Sequence, residues 1–281
     1  MKIEFRTHDL GVRGLEPAVS KVKECGIDGV QLVAYKFMDE LKYQPGQLNE
    51  ENSRWIGDTL RSNGIDVGLI GAYFNPVHSN PEKVKNGIAV FKEYLKYCNN
   101  LGCNIVGSET GSFNDDKWTY NPLNRTEEAL ERVTATFKDL AIYAGKLGVN
   151  IGMEGAAGHV CYDVKTLKRA IDGINQPNVK VIFDIYNYLD SSNHASYLDI
   201  LDEGLETFAG KICVFHIKDY VFDEAENKVK QVPPGKGVFD FDAILKRIKA
   251  YDKDAKLVLE GTTGENIVPC SQFLREKWNE V

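Results

Sequence analysis

No stretch of this sequence reaches about 18 uninterrupted apolar residues, so no segment reads as a membrane-spanning helix. Basic charge is not in excess either. Against 41 Asp and Glu stand 34 Lys and Arg, a formal charge of −7, whereas a nucleic-acid backbone calls for clustered cations. The run 224–231 mixes both signs and reads as a solvated loop. None of the six cysteines forms a C-x-x-C pair, which leaves buried, reduced thiols as the plain reading. The first ten residues lack a basic segment followed by an apolar one, so the expectation is a cytoplasmic protein. No G-x-G-x-x-G follows the first β-type run, which argues against a dinucleotide fold. No Pro/Gly/Ser-rich linker divides the chain, and the sequence leaves a homo-oligomer open.

What is present is an alternation. Eight apolar, β-rich runs are expected as strands: residues 2–7, 28–34, 66–73, 104–109, 150–154, 180–185, 212–217 and 256–260. Helical patterns lie between them. Leu15, Val19, Val22 and Cys25 share one face of a helix over 15–26. Ala129, Val133, Phe137 and Leu140 share one over 126–148, which Thr126 can cap and Gly148 can stop. A Gly, an apolar residue and then Asp or Asn recur before strands, as at 26–28 and 64–66. Strand, helix, strand, repeated eight times in 281 residues, predicts one (β/α)8 TIM barrel spanning 1–281. Two long loops, 110–125 and 219–241, then fall at the C-terminal mouth, with Trp118 and Tyr120 as a wall or lid.

Four successive runs in the second half each end in a metal-type ligand: Glu154, Asp184, His216 and Glu260. Their spacings of 30, 32 and 44 residues each suit a helix, a strand and two loops. Parallel strands therefore bring the four to one end of a sheet. Several carboxylates at one mouth repel unless a cation or proton offsets them. Three carboxylates and one imidazole form an oxygen-rich set suited to Mn²⁺, with Mg²⁺ or Co²⁺ as alternatives, and leave about two octahedral positions open.

These residues, in the order Glu, Asp, His, Glu, together with 215-FHIKD-219 and 233-PPGKGVFDF-241, resemble the xylose isomerase-like TIM-barrel superfamily over essentially the whole chain. The resemblance implies a divalent-metal-dependent isomerase or epimerase of a sugar or sugar phosphate, working by proton abstraction beside a carbonyl. In its ketose 3-epimerases the strand-five and strand-eight glutamates are both ligands and the acid/base pair, which would be Glu154 and Glu260 here. The sequence departs from that pattern at Asn187, where such epimerases often carry His, and at Lys218, where an Arg is expected nearby. His159, Asn187, Lys218 and Glu109 are the substrate-binding candidates.

The alternatives are an inosose dehydratase-like lyase, which shares the H-x-K-D pattern, a non-catalytic sugar-binding barrel, and an endonuclease IV-like phosphodiesterase. The last needs extra histidines that 30-VQLVAY-35 and 67-VGLIGAY-73 do not supply. His8 reads as structural or substrate-contacting, and His78 and His194 as surface residues. Asp219 is placed as a ligand-orienting group or a partner of Lys218, and Lys236 as a solvated lysine. The segment 261-GTTGEN-266 offers backbone N–H groups to a phosphate.

Overall fold

The computed structural model describes all of residues 1–281. Eight parallel strands close into a barrel: β1 Lys2–Arg6, β2 Gly29–Leu32, β3 Asp66–Gly71, β4 Ile105–Glu109, β5 Asn150–Glu154, β6 Val179–Asp184, β7 Ile212–Ile217 and, last in the chain, β10 Lys256–Leu259. The ring closes where β10 pairs with both β7 and β1. All eight expected strands are present, most ending one or two residues short of the expected limit.

The helices form the outer layer. Leu15–Glu24 (α1), Ala34–Phe37 (α2), Glu50–Ser62 (α3), Pro81–Tyr97 (α4), Glu127–Lys146 (α5), Val164–Ile174 (α6), Tyr197–Thr207 (α7), Phe241–Tyr251 (α8) and Ile267–Glu280 (α9) follow one another around the barrel. On α5, Thr126 Oγ1 accepts from Ala129 N–H, and Ala129, Val133, Phe137 and Leu140 are fully buried. On α1, Leu15, Val19 and Val22 turn inward, and Cys25 packs just past its end. A β-strand buried on both faces has no room for polar alternation, which is why these strands read as continuous apolar runs.

The segment 219–241 departs from expectation. Instead of a loop it begins as an antiparallel hairpin, β8 Asp219–Asp223 with β9 Lys228–Val232. The charged run 224–231 therefore lies largely in a hairpin turn and strand, with Lys230 Nζ bridging Asp223 (2.6 Å) and Glu226 (2.7 Å). Turn length and cross-strand salt bridges carry this pairing, and a mixed-charge sequence hides both. The loop 110–125 contains two short 3-10 turns, Asp115–Lys117 and Pro122–Arg125.

Neither histidine assigned to the surface is there. His78 is buried, with Nε2 3.2 Å from Asp116 Oδ1 and Nδ1 accepting from Asn80 N–H. His194 is half-buried and stacks on Phe222 of the hairpin at 4.1 Å between ring centres. Both pack against loops whose paths one sequence does not reveal. The six cysteines are all unpaired as disulfides, and five are buried. No helix is long and apolar enough to cross a membrane.

Candidate metal centre at the barrel mouth

Parallel register sets the site. Glu109 pairs with Glu154, Asp184 sits directly opposite His216, and Glu260 follows the last residue of β10. Paired residues in a parallel sheet face the same side, so all of these project into the mouth. One ligand atom each from Glu154, Asp184, His216 and Glu260 lies within 4.8 Å of the others. His216 Nδ1 is 3.1 Å from Glu154 Oε1 and 2.9 Å from Glu260 Oε2. Its other nitrogen, Nε2, is 2.8 Å from Gln31 Oε1. With Nε2 held by Gln31, Nδ1 is the nitrogen turned toward the carboxylates, the one that would ligate a cation once its proton is displaced.

Nitrogen groups surround the carboxylates. Lys218, two residues beyond His216 on the same face, places Nζ 2.7 Å from Asp184 Oδ2 and 3.1 Å from Glu260 Oε1. Arg6, from the end of β1, places Nη1 2.6 Å from Glu260 Oε1 and Nε 2.7 Å from Asp9. Asn187 donates from Nδ2 to Glu154 Oε1 at 2.8 Å and accepts from Lys218 Nζ at 2.8 Å. Both ends of its amide are thus used within the protein.

Burial and charge pull in opposite directions here. Burial would raise the Glu260 carboxyl, but Lys218, His216 and Arg6 together hold it well below the usual range. Asp184 is pushed up to about 6 by burial, against the pull of Lys218. His216 rises to about 10: burial disfavours its cation, but Glu154 and Glu260 outweigh that. Glu109 is pushed up to about 8 by burial, with the charges of Glu154 and Glu260 adding.

The donor set fits a divalent cation. Three carboxylates and one correctly turned imidazole converge on a common point, and the buried protein nitrogens offset their charge only in part. It is a hard, oxygen-rich set with no thiolate.

Other sequence candidates fall around this cluster. His159 is buried above it, with Nε2 3.2 Å from the Trp118 carbonyl and 3.5 Å from Glu109 Oε2. Burial lowers its pKa to about 4, so it is neutral at pH 7. His8 is half-buried beside Arg6, in a 3-10 turn after β1. Lys236 is exposed. The structure corrects the reading of Asp219. It neither orients a ligand nor pairs with Lys218, but accepts backbone N–H groups from Tyr220, Gly235, Gly237 and Phe239 at 2.8–3.1 Å. This cradle pins the turn after the hairpin. A Cβ at Gly237 would lie 2.4 Å from Asp219 Oδ1, so only glycine fits. The hairpin in turn steadies the site, because Gln231 donates to the Glu260 carbonyl at 2.7 Å. In the segment 261–266, the Gly261 N–H is already taken by Asp9 at 2.9 Å.

Sequence reasoning missed Arg6, Gln31, Tyr73 and Lys36. Arg6 and Gln31 are register partners at the ends of β1 and β2. The strand-end rule that found the four ligands finds these two once it is applied to the first half of the chain. Tyr73 and Lys36 line a chamber of about 330 Å³ with Arg6, Tyr35, Tyr43, Glu109 and Trp118. Trp118 is thus a wall, as expected, whereas Tyr120 is exposed and lies against Arg125.

A closed parallel barrel with a carboxylate–imidazole cluster at its C-terminal mouth defines a TIM barrel built to carry a polar centre where such barrels hold their active sites. A family model described as xylose isomerase-like TIM barrel matches residues 19–277, and the chain belongs to that family. Solved structures agree in fold. A D-tagatose 3-epimerase-like protein superposes with a TM-score of 0.76 at 18% identity, over 100% of this chain and 99% of that one. An IOLI protein with a bound zinc atom gives 0.73 at 16%, over 100% and 97%. The 3-keto-D-glucoside 4-epimerase of E. coli, in its apo form, gives 0.70 at 18%, over 100% and 98%. At these identities the likeness is one of fold. No curated protein matches the sequence.

Proposed function

We propose that the protein is a divalent-metal-dependent epimerase or isomerase of a sugar or sugar derivative, with Glu154, Asp184, His216 and Glu260 as the metal ligands. The observation that carries this reading is the position of two glutamates. The Glu154 and Glu260 carboxylates approach the same nitrogen of His216, at 3.1 and 2.9 Å, from strands separated by β6 and β7. A cation held by this set, Mn²⁺ by the hardness of its donors, would polarise a substrate carbonyl.

The chain's own groups do the rest. One of Glu154 and Glu260 removes the proton from the carbon beside the carbonyl, and the C–H electron pair moves toward the carbonyl oxygen. The other, which enters the cycle protonated, gives its proton to the opposite face and inverts the centre. Lys218 and Arg6 keep Glu260 ionised, ready to accept that proton. Asn187 orients Glu154 through its 2.8 Å hydrogen bond. The chamber formed by Tyr35, Tyr73 and Trp118 excludes water from one side of the sugar and packs against its C–H face. His159, neutral and held by the Trp118 carbonyl, is suited to positioning that wall rather than to giving up a proton.

The test is deuterium uptake at ketose carbons in D₂O with added Mn²⁺. Glu260→Gln should retain the metal and lose about 10²- to 10⁴-fold in exchange rate, the usual worth of a positioned acid or base. Near-normal exchange in that variant would remove Glu260 from the proton transfer. A lyase on the same scaffold has one supporting observation, the proton that Lys218 carries between Asp184 and Glu260. Loss of water from an inosose, in place of inversion of a ketose, would select it.

A further inference from the structure

The 330 Å³ chamber, which borders the metal centre through Arg6 beside Glu260 and Glu109 beside Glu154, is not the whole cleft. A second chamber of about 680 Å³ continues from it, lined by Phe74, His78, Lys83, Asn86 and Asp116 among others. The two share three walls: Tyr43, Tyr73 and Trp118. Together they exceed what a single sugar ring fills, and typical pockets are sized to enclose most of their ligand.

The outer chamber is also held in shape. Asp115 accepts from the Ser79 N–H and Oγ at 2.7 Å each, and Asp116 receives Lys83 Nζ at 2.6 and 2.8 Å. These contacts tie the loop 110–125 to the start of α4. Asp115 and Trp118 both take left-handed backbone conformations, with φ of 54° and 53°. Aspartate tolerates that region, but a bulky tryptophan rarely adopts it, and such a conformation persists where the surroundings enforce it. The strap therefore fixes the Trp118 ring at the junction of the chambers.

The chemistry of the outer chamber narrows its occupant. Its lysine is already matched, Lys83 to Asp116, and the His78 ring is held between Asp115 and Asp116 at 3.4 and 3.2 Å. The remaining lining is aromatic faces with amide and hydroxyl groups, plus the exposed Glu82 carboxylate, which faces Lys85 at 3.7 Å and would repel an anionic ligand. Flat aromatic walls beside hydrogen-bonding groups suit an uncharged ring with one C–H face and polar edges, such as a second sugar.

We infer that the substrate is a two-ring glycoside, with its keto-sugar ring over the metal centre and a second, uncharged sugar ring in the outer chamber against Trp118 and Tyr73. This rests on the reading of the inner site as a sugar epimerase or isomerase, and it adds the size and neutrality of the substrate.

A matched pair of probes tests it: D-fructose, and isomaltulose, which is fructose bearing a glucosyl ring on O6. Binding is measured calorimetrically to the Mn²⁺-loaded protein, separately from exchange in D₂O. Isomaltulose should bind about tenfold tighter or better, as expected for one added, well-packed ring. Glu82→Trp, which puts a bulky ring into the outer chamber at a residue that does not line the inner one, should erase that advantage while changing fructose affinity by less than about twofold. Equal affinity for the two probes, or no binding of isomaltulose, would overturn the inference. Absence of exchange with both sugars, despite tighter binding of isomaltulose, would count against the catalytic reading alone and leave the two-ring site standing.

Discussion

The two ends of the barrel bury the same kind of group in opposite ways. At the mouth every deeply placed carboxylate faces a nitrogen: Glu260 meets His216, Lys218 and Arg6, Asp184 meets Lys218, and Glu154 meets His216 and Asn187. At the floor, Glu4 projects inward from β1 with no hydrogen-bond partner on either carboxylate oxygen. It lies against β3, where a Cβ on Gly68 would come within 1.8 Å of its Oε2, so the glycine makes the space it fills. Burial pushes the Glu4 carboxyl up to about 8, and Lys256 offsets this only in part. At the mouth, by contrast, Glu260 is held well below its ordinary range. The same barrel wall thus keeps one glutamate ionised and another protonated at neutral pH. The difference lies in how many cations surround each. A carboxylate cluster made to hold a metal has to stay ionised, whereas a carboxyl filling the floor is cheapest when neutral.

Three changes probe this contrast, beginning with the strongest. His216→Ala removes the nitrogen that both glutamates share. The stabilisation from a hundredfold excess of Mn²⁺ over its dissociation constant, about 2.7 kcal/mol for a competent site, should vanish, together with bound metal by elemental analysis. A thermal shift with Mn²⁺ equal to that of the unmodified protein would break the comparison at its upper end.

Gln31→Leu leaves the four ligands in place but removes the acceptor that fixes the His216 ring. Metal affinity should fall about 10- to 100-fold with the fold intact by circular dichroism, and Gln31→Glu should restore most of it. A merely structural role would give no such rescue.

Glu4→Gln acts at the floor. The folded-state pKa, about 8, lies above the ordinary glutamate value of 4.5, so the folded protein holds this proton more tightly than the unfolded chain. Stability from this group is fully present below about pH 4.5 and is lost as pH rises through about 8. Unfolding free energies from denaturant titrations at pH 5 and pH 9 should differ less in Glu4→Gln than in the unmodified protein, by on the order of a few kcal/mol. An unchanged pH dependence would show that Glu4 is ionised at the floor as its counterparts are at the mouth.

Much of the upper end was legible in the sequence for a simple reason. Glu154, Asp184, His216 and Glu260 each end a β-type run, and parallel strands in one barrel all end at the same face. Strand periodicity and spacing are local properties, so they survive reading one residue at a time. The roles of the surrounding groups are not local. Asn187 reads as a free amide in sequence, yet Glu154 and Lys218 occupy both its ends from two other strands. Asp219 reads as a site residue because it follows Lys218, but strand alternation turns it away from the mouth and into the turn at 235–239. The hairpin at 219–232 was hidden by its charge.

By itself the sequence determined the repeated strand–helix unit, the inward faces of α1 and α5, and the rank of four ligand-type residues at successive strand ends. Hydrophobic period and element length encode these, and both are set by neighbours along the chain. Only the tertiary structure decided which nitrogen of His216 faces the carboxylates, that Arg6 and Gln31 close the ring from β1 and β2, that Glu4 is buried alone at the floor, and that Trp118 stands between two chambers. Each of those depends on residues brought together from distant positions, where packing and charge act through space and leave no pattern along the chain.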